Sequence, residues 1–135
     1  MAGAKLFGRF DFADFKGADL SGAAFAGQEP RDENTALARV GLFSGDFDGA
    51  ILEGADFTDG RLGFASFQNA NVKNVRFSGA DLTRADFTGA DISGADFKGA
   101  NVDEANFAGA IGFESATGLD QALNQDRMVR PAATR

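Results

Sequence analysis

Large apolar residues recur at every fifth position over most of the chain. We call them the central residues, and an early block of them consists of Phe10, Phe15, Leu20 and Phe25. A small residue, usually alanine, stands two positions before each central residue, and glycine stands two positions after about half of them. From position 42 the series is unbroken and alternates between aliphatic and aromatic: Leu42, Phe47, Leu52, Phe57, Leu62, Phe67, Val72, Phe77, Leu82, Phe87, Ile92, Phe97, Val102 and Phe107.

A period of five fits neither an α-helix nor a flat strand. Five residues advance a helix about 140° beyond a full turn, so the central residues would spread around its axis. On a strand, an odd period sends successive central residues to opposite faces. The pattern is coherent if the chain turns a corner every five residues, where glycine tolerates the turn dihedrals. It therefore predicts a solenoid of stacked coils joined by parallel backbone hydrogen bonds.

The alternation of central residues predicts how many sides each coil has. An even number of sides stacks phenylalanine on phenylalanine, whereas three sides would mix every column. Four sides of five residues place the phenylalanines in two columns on opposite sides, where stacked rings gain contact beyond their buried area. We therefore expect Phe67, Phe87 and Phe107 to lie on one wall.

The repeated unit resembles the pentapeptide-repeat family. Ala80-Asp81-Leu82 and Ala95-Asp96-Phe97 show its alanine, Asp or Asn, large apolar pattern, which covers roughly residues 8–27 and 40–109. The resemblance implies an all-β fold, a right-handed quadrilateral parallel β-helix. It also implies that a C-terminal segment often mediates dimers.

Residues 28–39, with the sequence QEPRDENTALAR, break the period. Removing these twelve residues makes Leu42 the next central residue after Phe25 and continues the alternation. We therefore expect a loop that leaves one corner of the coil. It is either a tolerated insertion or part of a binding site, since both occur for long loops. Its candidate binding residues are Arg31, Asp32 and Glu33.

Residues 114–135 also leave the period of five. Leu119, Ala122 and Leu123 have helical spacing, with Asp120 early and Arg127 late in the segment. This arrangement predicts a short helix from Leu119 to about Val129, which would cap the open β edge of the last coil and precede a tail. We interpret residues 1–135 as a single domain.

Composition narrows the possible chemistry. The chain has no cysteine and no histidine, which removes thiolate metal sites, the usual general base and the commonest metal ligand. We predict no catalytic site, metal or cofactor, because a filled core implies no cleft for a hydrolase built on Ser and Asp. A calcium site at Asp46, Asp48, Asp56 and Asp59 is disfavoured, since the nonapeptide of calcium-binding β-rolls is absent.

Charge and hydropathy indicate which binding partners and which cellular location to expect. The net charge of −7 disfavours direct binding to nucleic acid or to anionic membranes. The N-terminal segment has no apolar core of a secretory signal, and no apolar run is long enough to insert into a membrane. The default expectation is a bacterial cytoplasmic protein, either monomer or homodimer.

Aspartate or asparagine precedes many central residues. One interpretation is structural, because these side chains bond nearby backbone amides at turns. The other is electrostatic, because some pentapeptide-repeat proteins mimic B-DNA and bind DNA gyrase. A rod of about 22 Å covers only about six base pairs, so a mimic would need a dimer. The acidic residues concerned are Asp46, Asp56, Asp81, Asp86, Asp91 and Asp96.

Within the repeats at 8–27 and 40–109, three phenylalanines fall outside the central series and lie after a central residue. Phe12, Phe43 and Phe64 all follow central residues of one side, to which Arg61 and Arg84 also belong. Exposed aromatic residues flanked by arginine are typical of an interface. We expect the loop to cover Phe43 and a partner to contact Phe64. The first functional hypothesis is a protein-binding module or assembly subunit using this side and the loop; the alternative is a DNA-mimicking modulator of gyrase or topoisomerase.

Overall fold

In the computed structural model, the chain is a right-handed, four-sided coil, and the structure describes residues 3–5, 10–25 and 41–132. The residue before each central residue forms one parallel β-bridge per coil, as Asp46 does with Ser66 and Ser66 with Asp86. Within the described ranges, β structure consists of such single bridges. We number the four sides by the bridge residues of one coil: Arg61 for side 1, Ser66 for side 2, Asn71 for side 3 and Arg76 for side 4.

Each corner of the coil is a tight turn that starts at a central residue. The carbonyl of Leu42, for example, accepts a 2.9 Å hydrogen bond from the amide of Gly45. The residue two positions after the central residue has a positive φ, as Gly49 does at 67°. This dihedral is the requirement of a type II turn, and it explains why glycine recurs every five residues.

The central residues fill the interior. From Leu42 to Phe107 each is fully buried, as are most of the small residues two positions before them. On side 2, the ring of Phe87 stacks on Phe67 at 4.8 Å and on Phe107 at 4.9 Å, both within 4° of parallel. Side 4 carries the second column, whose Phe77 meets Phe87 edge to face at 5.6 Å. The predicted four-sided coil with two phenylalanine columns is confirmed.

The bridge register changes across residues 26–40. Equivalent residues of neighbouring coils lie 20 positions apart after this segment, whereas Asp11 and Phe43 lie 32 apart across it. The difference equals the length of the segment that breaks the period, so the coil resumes on the side expected. Arg31, Asp32 and Glu33 lie outside the described residues.

The predicted helix from Leu119 to Val129 is wrong. The described C-terminal segment contains three short 3-10 helices instead, Phe113–Ser115, Leu119–Gln121 and Gln125–Arg127. Left-handed residues at Gly118 and Asn124 interrupt any longer helix. The amides of Leu123 and Val129 donate to the previous coil, to Ala100 and Ala105, rather than within a helix.

This segment forms a last coil whose sides have six residues. Its bridge residues Ile111, Thr117, Leu123 and Val129 pair with the coil below. Ala122 and Met128 are buried six positions apart, which is the spacing of one side of this coil. Of the three residues whose spacing suggested a helix, Ala122 is buried, Leu119 is half-buried and Leu123 is exposed. In the described part of the chain, no helix is long and apolar enough to cross a membrane.

Candidate partner-binding corner

The corner between sides 1 and 2, which we call the first corner, has an unusual backbone. At the other three corners the positive-φ position holds glycine in most coils, and otherwise Asp59, Asn69 or Asn74. Asp and Asn are the residues that best tolerate this conformation after glycine. Among the described coils of five-residue sides, the first corner has no glycine at this position; it holds Phe12, Ser44, Phe64, Arg84 and Glu104, with φ from 55° to 63°.

This conformation costs stability at the first corner. A bulky L-residue in the left-handed region is less favourable than glycine by about 1–2 kcal/mol. Phe12, Phe64, Arg84 and Glu104 each bear that cost, although a glycine would form the same turn. Strained backbone that persists at one place on a regular scaffold is characteristic of functional sites. The side chains of this corner are therefore the candidate functional groups.

The N-terminal half of the corner is an aromatic ladder. The ring of Phe43 meets Phe12 edge to face at 5.9 Å and Phe64 at 5.4 Å. The ring of Phe43 also lies over Gly63, where a Cβ would come within 3.4 Å of it. All three rings remain accessible, with exposed fractions of 73% for Phe12, 42% for Phe43 and 46% for Phe64. Phe12 and Phe64 are exposed on the side expected from the sequence. Phe43, which we expected the loop to cover, is also exposed, and the loop itself lies outside the described residues.

The C-terminal half of the corner is a ladder of charges. The guanidinium of Arg84 lies 5.5 Å from the Phe64 ring centroid and also pairs with Glu104. Arg127, from the last coil, bonds Glu104 at 3.0 Å and Asp103 at 3.1 Å. The hydrogen bond and charge of Arg84, with those of Arg127, hold the pKa of Glu104 below its ordinary value. The aromatic and charged halves form one continuous row.

Sequence reasoning found most of this row but missed its end. Phe12, Phe43, Phe64 and Arg84 contact one another in sequence along the corner. Arg61 lies on side 1, the side expected from the sequence, but in the bridge column between Gly41 and Asp81 rather than in the row. Arg127 was missed because a period of five does not place it at this corner. The signal was present in the sequence as Gly112, Gly118 and Asn124, which recur every six residues.

The predicted acidic residues serve the turns. In each, Oδ1 accepts a hydrogen bond of 2.9 to 3.1 Å from the amide two residues later. Burial works to raise the pKa of Asp86, but bonds from Thr88 and Gln68 outweigh it and lower the pKa. The bond from the Ser93 hydroxyl is the main cause that lowers the pKa of Asp91. This geometry fits the structural interpretation of Asp46, Asp56, Asp81, Asp86, Asp91 and Asp96.

The same aspartates are spread over all four sides. Asp81 belongs to side 1, Asp91 to side 3, and the other two sides hold two each. Ser66 separates Asp46 from Asp86, and Arg76 separates Asp56 from Asp96 along the bridge columns. Lys16 also lies 3.3 Å from Asp46. No side therefore carries an unbroken row of carboxylates within the described residues.

The rest of the described surface offers little chemistry. Residues 3–5, 10–25 and 41–132 contain no cluster of three potential metal ligands and no fully buried polar side chain. An open groove of about 560 Å³ lies at the C-terminal end, lined by Ile111, Phe113, Glu114, Arg130 and neighbouring residues. Apart from Glu114 and Arg130 its walls are apolar or glycine, which provides no nucleophile.

Comparison with known proteins gives a family model and two informative structures. The model of pentapeptide repeats matches eight copies over residues 42–74, 61–99 and 90–114. Rfr23, from the cyanobacterium Cyanothece 51142, is 19% identical with a TM-score of 0.53, over 90% of each chain. A trypsin-treated form of QnrB1, a plasmid-mediated fluoroquinolone resistance protein, is 20% identical with a TM-score of 0.62. The match covers 90% of this chain and 57% of QnrB1. A comparison with curated proteins gives no match.

Proposed function

Because the chain belongs to the pentapeptide-repeat family, we propose that it is a non-enzymatic protein-binding module whose contact surface is the first corner. The observation that carries the proposal is that, among the described coils of five-residue sides, four of the five positive-φ positions of this corner retain bulky side chains, whereas the other corners hold glycine, asparagine or aspartate. A turn-forming role would be met by glycine at lower cost. Contact with a partner accounts for the side chains themselves.

The chemistry of the corner fits a protein partner. Aromatic residues and arginine are enriched in protein interfaces, and they are the residues whose loss most often weakens binding. Phe12, Phe43 and Phe64 supply apolar area, and Arg84 supplies a cation that is already held on an aromatic face. Arg61, from the neighbouring side, extends the basic character of this region.

Site-specific photocrosslinking in cells tests the proposal. A benzoylphenylalanine at position 64 is expected to capture a discrete protein product. The matched control is Ile51 on side 3, which is apolar and 42% exposed but lies away from the first corner. The proposal fails if position 64 captures nothing, or if positions 64 and 51 capture the same products.

The second candidate is a DNA-mimicking modulator of gyrase or topoisomerase. It is supported by the net charge of −7 and by the fold shared with QnrB1, a fluoroquinolone resistance protein. The dispersed aspartates, each bonded within its own turn, favour the first candidate. A supercoiling assay with purified gyrase separates the two: inhibition, or relief of quinolone inhibition, supports the mimic, and no effect up to a large molar excess counts against it.

A further inference from the structure

The spacing of the first corner limits what can pack along it. Its exposed rungs repeat once per coil, at about 4.8 Å: Phe12, Phe64, Arg84 and Glu104 come from the positive-φ position, and Phe43 comes from the position before it, with its ring between those of Phe12 and Phe64. An extended strand laid along the corner directs one side chain toward it every 6.6 to 6.8 Å, which exceeds the rung spacing by roughly 2 Å at each step. A helix has a pitch of about 5.4 Å, so its turns fall behind the rungs by about 0.6 Å per turn. Another stack of coils matches the spacing rung for rung.

The order of the rungs is complementary to itself. Reversing the row about the midpoint between Phe43 and Phe64 brings Phe43 opposite Phe64 and Phe12 opposite Arg84. The guanidinium carbon of Arg84 lies 5.5 Å from the centroid of the Phe64 ring, and the Arg84 side chain remains 55% exposed. A second aromatic ring packed against the exposed part of the guanidinium would add another cation–π contact. A two-fold symmetric contact needs this kind of self-complementarity.

From these observations we infer that the first corner binds the first corner of a second copy of this chain, in antiparallel orientation. The inference rests on the proposed function and names its partner. Each copy contributes the same three phenylalanines and Arg84, so every contact occurs twice across the two-fold axis.

The size of the surface sets the expected affinity. The exposed fractions of the three rings correspond to roughly 300 Å² of aromatic surface per copy. A standard stable interface buries about 800 Å² per partner. The dimer is therefore a reversible one, with an expected dissociation constant on the order of 10–100 μM, and it must be sought at high protein concentration.

Sedimentation velocity of the full chain, from about 1 to 500 μM, is the first test. The wild type is expected to shift from monomer to dimer. Phe12→Gly is expected to weaken dimerisation at least tenfold; it removes an exposed ring and relaxes a positive φ, so the fold is retained. Phe64→Gly is a second variant of the same kind. Leu123→Glu, on the bridge column of the last coil, is the control for end-to-end association.

Thiol crosslinking tests the orientation, because the chain has no cysteine of its own. In the antiparallel register Ser44 of one copy is offset by about one rung from Ser44 of the other, and the rings packed between the two corners hold the backbones too far apart for a direct disulfide. Ser44→Cys is therefore expected to be joined into a dimer by a bismaleimide crosslinker, whereas Ser21→Cys at the opposite corner is expected to stay monomeric.

A monomer at all concentrations overturns the inference, as does a dimer that Leu123→Glu abolishes and Phe12→Gly does not. The proposed function fails separately: crosslinking at position 64 to a protein of different mass supports it while excluding a second copy. Absence of any crosslink contradicts both.

Discussion

The guanidinium of Arg84 lies 5.5 Å from the ring of Phe64, and both residues have left-handed backbone dihedrals, with φ of 56° and 61°. These two turns carry interacting side chains in a conformation that glycine adopts freely. At these two positions we therefore expect glycine to be more stable than alanine, which reverses the usual order. Elsewhere in regular structure glycine is less stable than alanine by roughly 0.5–1 kcal/mol.

We predict that Phe64→Gly is more stable than Phe64→Ala by about 1 kcal/mol. Both variants remove the ring, so they differ in the cost of the positive φ, which only alanine bears. Chemical denaturation of the two variants measures the difference. An alanine variant of equal or higher stability would show that the turn relaxes without cost.

The stacked columns should dominate the stability of the coil. Phe77 stacks on Phe57 at 5.5 Å and on Phe97 at 5.2 Å, and it is fully buried. Phe77→Ala is expected to lower the free energy of unfolding by about 3–5 kcal/mol, through lost transfer energy and a cavity. Phe12→Ala, at a ring that is 73% exposed, should cost less than about 1 kcal/mol. Similar losses in urea titrations of the two variants would argue against a close-packed aromatic core.

A glycine above an asparagine should be harder to replace than one above another glycine. Gly89 and Gly109 have φ of 70° and 67° at the same corner, but a Cβ at Gly89 would collide with Oδ1 of Asn69. At Gly109 the nearest atom is a backbone nitrogen 3.8 Å away. Because that oxygen is the end of a side chain that can rotate away, Gly89→Ala is expected to cost more than Gly109→Ala by less than about 1 kcal/mol.

Adding Asn69→Gly to Gly89→Ala should remove this extra cost, because the colliding side-chain amide is then absent. Thermal melts of the four proteins measure the coupling. If the second substitution brings no recovery, the cost lies in the backbone alone.

Arg127 should hold the last coil in place. It joins that coil to Glu104 and Asp103 of the coil below. We predict that Arg127→Ala speeds hydrogen exchange at the amide of Val129, which donates to Ala105 at 2.8 Å, while exchange at Phe87 stays unchanged. Arg76→Ala, on side 4, is the matched control. Unaltered exchange at Val129 would mean that bridge bonds alone fix the terminal coil.

The same ion pairs should make stability depend on pH. The pKa of Glu104 is lowered in the folded state by Arg84 and Arg127, from a reference value of 4.5. Its contribution is therefore present above about pH 4.5 and is lost as the pH falls through the lowered pKa. The stability difference between wild type and Glu104→Gln should be largest near neutral pH and vanish in acid. Denaturant titrations between pH 2 and 7 check this, and the other carboxylates cancel in the comparison. A stability difference between wild type and Glu104→Gln that persists at pH 2 would show that it arises from the packing of the side chain rather than from its charge.

Much of the fold can be predicted from the period of five, since only a coil with corners buries Phe67, Phe87 and Phe107 together. The exposed row could be predicted as well, because Phe12, Phe43 and Phe64 are outside the central series. The last coil was harder to predict, because Leu119, Ala122 and Leu123 have helical spacing and favour a helix. The recurrence of Gly112, Gly118 and Asn124 every six residues was the signal for a coil, but it is a short series beside the long repeat of five. Arg127 was missed for the same reason, and the left-handed dihedrals at Gly118 and Asn124 decide in favour of the coil.

The six-residue sides of the last coil also bear on how copies of the chain can accumulate. The extra residue of each side is taken up in the 3-10 turns, because Ile111, Thr117, Leu123 and Val129 still bridge a coil of five-residue sides. A further coil added at this end would have to stack on corners that hold 3-10 turns rather than the regular tight turns. The irregular corners thus oppose the addition of another copy at this open edge, and with it growth into a fibre.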